Sequence, residues 1–321
     1  MDYVFGPVPS RRLGQSLGID PVPLKTCNWN CVYCQLGRST PLKTKRTDYV
    51  PAQDVMEQLG KALQAHKPGE IDWITFVGSG ETTLHAGIGD MIRKVKTLTD
   101  IPVAVITNGS LLYLSEVRDE LLPADAVLPS IDAGSAELYR KINRPHPHLE
   151  YETFINGLVD FRQQYHGKLW IEVMLIKGVN DNLQALQELN EKLSLINPDE
   201  IHLLLPTRPP AETWVEPAGD AGIHLAQLLL GSNTKVFHPL KGVFDLRGAD
   251  SVFQAVLAII TRHPMKESQL LEALQQFPQE EIDKVLNMLT ESGKAQIVKR
   301  YGERYWSASP AHYASTEPDK K

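Results

Sequence analysis

Cysteine is nearly absent: the chain has three in 321 residues, and all of them fall between positions 27 and 34. An odd set packed so tightly closes no long loops, which excludes a disulfide framework. Long apolar runs are missing too, and none approaches the roughly 20 residues that a membrane-spanning helix needs. Nor is there an excess of positive charge: 33 Lys and Arg stand against 39 Asp and Glu, a net charge of −6. That balance removes the global field that would draw in nucleic acid. The first residues carry no apolar stretch behind Arg11 and Arg12, so no secretory signal is expected. A soluble cytoplasmic protein follows as the plain expectation. At 42% apolar and 22% charged residues, disordered and collagen-like classes are excluded. The length can bury a large core in one large domain or two unequal ones.

Short runs rich in Val, Ile and Leu recur at 16–20, 71–77, 103–107, 126–131, 169–176 and 200–205. Near-continuous apolar character is the mark of parallel strands buried on both faces. Helix-period patterns lie between and after them, at 52–65, 88–98, 115–121, 136–142, 151–165 and 183–195. The alternation predicts an α/β fold with right-handed crossovers. Too few units are present for a closed eight-stranded barrel, so an open partial (β/α)6 barrel over residues 1–210 is expected, with a doubly wound sheet as its rival. Pro206, Pro209, Pro210 and Pro217 punctuate a linker or extension at 211–249, with one helix near 218–230. Three helix patterns at 252–262, 267–275 and 279–292 then precede a hairpin around Tyr301-Gly302-Glu303, which predicts a winged-helix-like α+β module over 250–308. The polar segment 309–321 is expected to be disordered.

The cysteines sit in Thr26-Cys27-Asn28-Trp29-Asn30-Cys31-Val32-Tyr33-Cys34-Gln35, a C-x3-C-x2-C pattern just past the first of these strands. Three thiolates on one tight loop suit an iron–sulfur cluster or zinc. Structural zinc takes four ligands, so that reading needs a histidine such as His85 or His202 to complete it. Three buried cysteines acting as small hydrophobes is the bland alternative. A cubane cluster held here would keep one iron without a cysteine ligand, open to a substrate or cofactor.

At these residues the chain resembles the radical S-adenosylmethionine (SAM) superfamily. The resemblance implies one [4Fe–4S] cluster on Cys27, Cys31 and Cys34, with Tyr33 as the aromatic residue that often precedes the third cysteine. It implies SAM chelated at the open iron and cleaved reductively to methionine and a 5′-deoxyadenosyl radical, which abstracts hydrogen from a substrate. Gly78-Ser79-Gly80-Glu81 stands where the family carries a Gly-Gly-Glu motif that contacts the methionine amine, with Ser79 in place of the first Gly of the pair. Thr107-Asn108-Gly109 and Ser130-Ile131-Asp132 are similar to strand-end segments whose polar groups, at Thr107, Asn108, Ser130 and Asp132, meet the carboxylate or ribose. Pro206 falls where the family often flanks the adenine. Polar residues at successive strand C-termini are where parallel barrels place their sites. Reduced flavodoxin or ferredoxin is the implied electron donor. Phe5-Gly6-Pro7-Val8-Pro9-Ser10-Arg11-Arg12 and Cys34-Gln35-Leu36-Gly37 look like a largely uncharacterised group related to the tRNA wybutosine-synthesis radical enzyme. Such relatives use further cysteines for a second cluster, and this chain has none left, so an auxiliary cluster is not expected.

Glu172 lies inside an apolar strand, on the same face as Met174 by alternation. A buried carboxylate needs a partner, either a ribose hydroxyl, cation or substrate, or a structural cation such as Lys177 or Arg144. Arg208 is a candidate for a substrate anion or for a solvated rim. His146 and His148 stand in a Pro-rich loop on the same side and are open to proton transfer or to no role. Residues 1–50 carry seven Lys and Arg against three Asp, a segment suited to an anionic substrate or an acidic electron donor. Residues 251–321 balance nine basic against nine acidic side chains, which favours protein contact or a lid over strong nucleic-acid binding. The expected function is a radical SAM enzyme whose substrate is RNA or a small anionic molecule. An activase that installs a radical on a partner protein is the alternative, and a non-enzymatic iron–sulfur or zinc winged-helix regulator is the rival from another class. No catalytic residue beyond the cofactor site is readable.

Overall fold

A computed structural model describes residues 3–237, 251–275 and 277–314. Eight strands form one curled sheet in chain order: β1 (Val4–Ser10), β2 (Gly14–Ile19), β3 (Trp73–Phe76), β4 (Val103–Thr107), β5 (Ala126–Pro129), β6 (Lys168–Met174), β7 (Glu200–Leu204) and β8 (Thr234–Phe237). β1 and β2 pair antiparallel, and every later neighbour pairs parallel. Seven helices pack around it: α1 (Ala52–Ala65), α2 (Ile88–Leu98), α3 (Ser115–Leu121), α4 (Ala136–Ile142), α5 (Tyr151–Gln164), α6 (Leu183–Ile196) and α7 (Asp220–Leu230). The fold is therefore a mixed α/β half-barrel, as the strand and helix patterns anticipate.

Alternation along the strands separates two apolar layers. Val103, Val105, Val127, Ile171 and Val173 join the large core under the helices. Ala104, Ala126, Leu128 and Trp170 belong to a smaller cluster with Leu13 on the opposite face. Other residues of that second face, among them Thr75, Ile106, Glu172 and Met174, line a cavity. The sheet thus fills its concave side partly with apolar side chains and leaves the rest open for a site.

Two strands lie outside the expected set, and both are sheet edges. β1 reads as a breaker because Gly6, Pro7 and Pro9 interrupt it, yet proline is tolerated on an edge strand or at a bulge. Its register with β2 shifts between Phe5 and Val8, where Gly6 and Pro7 sit. β8 is only four residues long and carries the sheet beyond the Pro-punctuated segment.

Past residue 250, α8 (Val252–Arg262), α9 (Glu267–Leu274) and α10 (Gln279–Glu291) pack with β9 (Met265–Lys266), β10 (Ala295–Arg300) and β11 (Glu303–Ala308), in the sheet order β10–β11–β9. Phe253, Val256, Ile260, Leu270, Leu289 and Trp306 give this unit its own core. It sits against β1: the Arg262 guanidinium lies 4.6 Å from the centroid of the Phe5 ring. Gly18 makes room for that ring, since a Cβ there would come within 2.2 Å of it. Residues 309–314 are ordered against the barrel, contrary to their polar composition. Tyr313 donates to the Gln35 carbonyl at 2.6 Å, and the Ala314 N–H donates to Ala211 at 2.9 Å. The Arg38 N–H also donates to the His312 carbonyl at 2.7 Å and Arg300 Nη2 to the Ala314 carbonyl at 2.6 Å, and together these bonds hold a segment of otherwise disorder-prone composition. The rest of that expected tail, 315–321, and the stretch 238–250 lie outside the described residues. Among the described residues no helix is long and apolar enough to cross a membrane.

Gly134, between β5 and α4, is where the sheet end meets the backbone of α6. A Cβ there would fall 2.1 Å from the Glu188 carbonyl carbon and 2.2 Å from the Leu189 nitrogen. Gly134→Ala is expected to destabilise the fold by about 1–3 kcal/mol through overpacking. Chemical denaturation measures this, and an unchanged midpoint would show that α6 yields freely.

Candidate functional site

The cysteine loop leaves the end of β2 and is pinned by the residues between its cysteines. Trp29 is buried with its ring 5.3 Å from Tyr139 and 5.5 Å from Phe154. Asn28 donates to Ser110 Oγ at 2.8 Å and accepts from Asn108 Nδ2 at 2.7 Å. The Val32 N–H donates to Ile142 at 2.9 Å. Gly80 is required for backbone packing, because a Cβ there would sit 1.8 Å from the Thr26 carbonyl oxygen. That same carbonyl accepts from the Glu81 N–H at 2.8 Å. The Gly-Ser-Gly-Glu turn and the cysteine loop are therefore one packed unit.

Each sulfur meets an N–H donor. The Trp29 N–H lies 3.4 Å and Asn108 Nδ2 3.9 Å from Cys27 Sγ, Asn143 Nδ2 lies 3.8 Å from Cys31 Sγ, and Lys25 Nζ lies 3.3 Å from Cys34 Sγ. Burial, with Glu81 adding to it, pushes the Cys27 thiol up to about 12. Burial followed by the neighbouring Cys27 and Cys34 pushes Cys31 well above its usual value. These thiols stay protonated at neutral pH unless a positive centre takes them.

All three cysteines open on one cavity of about 360 Å³. Of the residues singled out from the sequence, Tyr33, Gly78, Ser79, Gly80, Glu81, Thr107, Asn108, Ser130, Glu172 and Pro206 line it as well. Asp132 is buried behind the wall instead. It accepts from Tyr33 Oη at 2.6 Å, Asn143 Nδ2 at 2.6 Å and the Met174 N–H at 2.7 Å. Glu81 accepts from the Thr83 N–H at 3.0 Å, the Thr83 and Thr107 hydroxyls, and the Asn108 N–H at 2.6 Å. Burial raises its pKa, and these hydrogen bonds oppose the rise.

Glu172 is paired with Arg12, a partner that local sequence did not suggest. Lys177 pairs with Glu216 and Arg144 with Glu212 instead. His85 is committed elsewhere: its Nε2 lies 3.0 Å from the Val50 carbonyl, and its Nδ1 accepts from the Gly87 N–H at 3.0 Å. His202 turns to Glu200 at 2.9 Å. Neither histidine completes a zinc site with the cysteines. His146 and His148 pack on each other, ring centroids 4.9 Å apart, and neither lines the cavity. The basic first fifty residues are partly neutralised, since Arg12, Arg38 and Arg46 each pair with a glutamate.

Sequence reasoning missed a second element of the site. Asp20 accepts from the Ser79 N–H at 3.0 Å, the Ser79 hydroxyl at 2.5 Å and Arg262 Nε at 2.8 Å. A charged residue ending an apolar strand was the available signal, although its partner at position 262 had none. His263, next in the chain, also lines the cavity.

Among the described residues no three or more His, Cys, Asp or Glu side chains are grouped to share a single metal ion. Three thiols that open on one cavity, each with an N–H donor, are a donor set of the chemistry that an iron–sulfur cluster uses. Hydrogen bonds to sulfur are one of the protein's means of tuning such a centre.

The profile of the Radical SAM superfamily matches residues 22–189, and the chain belongs to that superfamily. Its members are enzymes, and membership implies SAM and an iron–sulfur cluster. A UPF0026 protein of Methanocaldococcus jannaschii is 32% identical over 281 residues, covering 85% of this chain and 86% of that one. A Brachyspira hyodysenteriae protein named GTPase Obg is 36% identical over 296 residues, 91% of this chain, and this chain spans 43% of its length. Among solved structures, Streptococcus suis SuiB bound to its precursor peptide SuiA is similar in fold. The TM-score is 0.52 at 15% identity, covering 83% of this chain and 56% of that one.

Asp132→Ala removes the acceptor of three buried donors. The metal-free protein is expected to lose about 1–3 kcal/mol for each donor left without a partner. Equilibrium unfolding in urea measures the loss, and a value within experimental error of the parent would mean that Tyr33 and Asn143 find other acceptors.

Proposed function

We propose that the chain is a radical SAM enzyme that acts on RNA or a small anionic molecule. One observation carries the reading: the only three cysteines of the sequence line a single cavity at the strand ends, each with an N–H donor and without a fourth cysteine to join them. Cys27, Cys31 and Cys34 would hold one [4Fe–4S] cluster. When bound, the cluster supplies the electron that cleaves SAM to methionine and a 5′-deoxyadenosyl radical, with the chemistry belonging to the cofactor and its positioning to the protein.

Gly78, Ser79, Gly80 and Glu81 would hold the methionine amine, and Thr107, Asn108 and Ser130 the carboxylate or ribose. Glu172 suits a ribose hydroxyl, Tyr33 borders the cluster, and Pro206 flanks the adenine. Both oxygens of Glu81 already accept hydrogen bonds, so its position is set before any ligand arrives. Asp132 is a positioning residue that acts through Tyr33 and the Met174 N–H. Lys25 places a positive charge beside Cys34. Reduced flavodoxin or ferredoxin would deliver the electron.

Anaerobic reconstitution followed by dithionite and SAM tests the reading. The parent chain is expected to release 5′-deoxyadenosine, and Cys31→Ala to lose both the nucleoside and the bound iron. Intact cluster absorbance without 5′-deoxyadenosine, or full iron retention in Cys31→Ala, would overturn it.

A further inference from the structure

The wall of the cavity beside the cysteine loop carries more positive charge than its neighbours balance. Arg11, Arg12 and Arg208 all line it. Glu172 answers Arg12, and Glu81 is consumed by Thr83, Thr107 and Asn108. Arg11 makes one hydrogen bond, to Thr207 Oγ1 at 3.1 Å, and Arg208 makes one, to Gln35 Oε1 at 2.9 Å. Neither has a carboxylate partner among the described residues. Each guanidinium carries five N–H donors in a fixed fork suited to carboxylate or phosphate. The cost of crowding them appears in their acidity. Burial, then repulsion from Arg11 and Arg208, lowers Arg12 to about 9, and burial, then Arg11, lowers Arg208 to about 10. Burial and the same arginines hold His263 well below its usual range, so it faces the cavity as a neutral ring.

The segment from residue 251 onward roofs this corner. Gln35 Nε2 donates to the Arg262 carbonyl at 3.0 Å, and Tyr313 Oη donates to the Gln35 carbonyl at 2.6 Å. Tyr305 Oη donates to the Thr207 carbonyl at 3.1 Å. Both residues that anchor the free guanidinium groups are therefore themselves held from above. A cavity of about 360 Å³ is at the lower end for a small-molecule site, a size that suits a small anion better than a polynucleotide strand.

We infer that Arg11 and Arg208 form an oxyanion subsite that binds the carboxylate or phosphate of a small substrate next to the Cys34-Gln35 end of the cluster loop. The inference rests on the radical SAM reading and narrows its substrate from an RNA or a small anion to the small anion. Gln35 couples the subsite to the cluster loop through one bond, so an anion bound there is delivered beside the radical-forming cofactor.

Calorimetric titration of the reconstituted full-length protein with inorganic phosphate and, separately, with malonate tests the subsite and tells a phosphate from a carboxylate preference. Saturable binding of at least one anion is expected, weakened about 10- to 100-fold in Arg11→Gln and Arg208→Gln, as loss of a charge-assisted hydrogen bond implies. Arg208→Lys keeps the charge without the fork and is expected to fall between, which reads the role even if the glutamine variant folds poorly. Lys177→Gln, a cation outside the cavity, is the control and is expected to bind like the parent. Absence of saturable binding, equal binding by all variants, or displacement of the anion by a short single-stranded oligoribonucleotide would overturn the inference. SAM cleavage is assayed in parallel. Anion binding without 5′-deoxyadenosine would remove the enzymatic reading and leave the subsite, and the reverse result would remove the subsite alone.

Discussion

Three thiols gathered on one short loop and opening on one cavity are the constraint around which the site is arranged. Burial, with nearby negative groups adding to it, raises the Cys27 and Cys31 thiols, so these two sulfurs become thiolates only when a positive centre takes them. The rest of the loop is built to hold its shape without that centre. Trp29 packs edge-on against the stacked rings of Tyr139 and Phe154, and the two asparagines beside it bind the ends of β4 and α4. Gly80 lets the Gly-Ser-Gly-Glu turn touch Thr26 directly. Pre-arranged ligands of this kind spare the reordering that would otherwise accompany cofactor binding.

The carboxylates around the cavity divide by what they hold. Glu81 ties β3 to β4, Asp132 ties Tyr33 to β6, and Asp20 ties Ser79 to Arg262. Asp20 is the one that reaches across 242 residues of chain, and its ion pair is buried on both sides. Breaking one partner of such a pair is strongly destabilising, so the docking of the C-terminal unit is coupled to the turn proposed to hold the methionine amine. That unit then contributes His263 to the cavity and covers the arginine corner.

Much of this was legible from the residues. The six inner strands and their helices were readable because strands buried on both faces are near-continuously apolar, and β3 to β7 are of that kind. The edges were not: β1 carries Gly6, Pro7 and Pro9, which mark a turn everywhere except on a sheet edge, and β8 is only four residues long. The cavity-lining residues at strand ends were readable from motif and spacing. Their partners were not, because Arg12 with Glu172, Arg38 with Glu212 and Arg262 with Asp20 are joined only by folding. Asp132 looked like a ligand-facing residue by its place in the motif and is buried behind Tyr33. Tyr313 sits in a segment whose composition suggests disorder, and the segment is docked by the Tyr313 bond to Gln35 together with backbone bonds at His312 and Ala314, none of which local sequence foretells.

The central claim is that Cys27, Cys31 and Cys34 hold a cluster whose remaining iron is left to SAM. Electron paramagnetic resonance of the reduced, reconstituted protein, recorded with and without SAM, addresses it most directly. The account predicts a reduced-cluster signal that changes when SAM is added, because one iron has no protein ligand. A signal of full intensity that is insensitive to saturating SAM would contradict it.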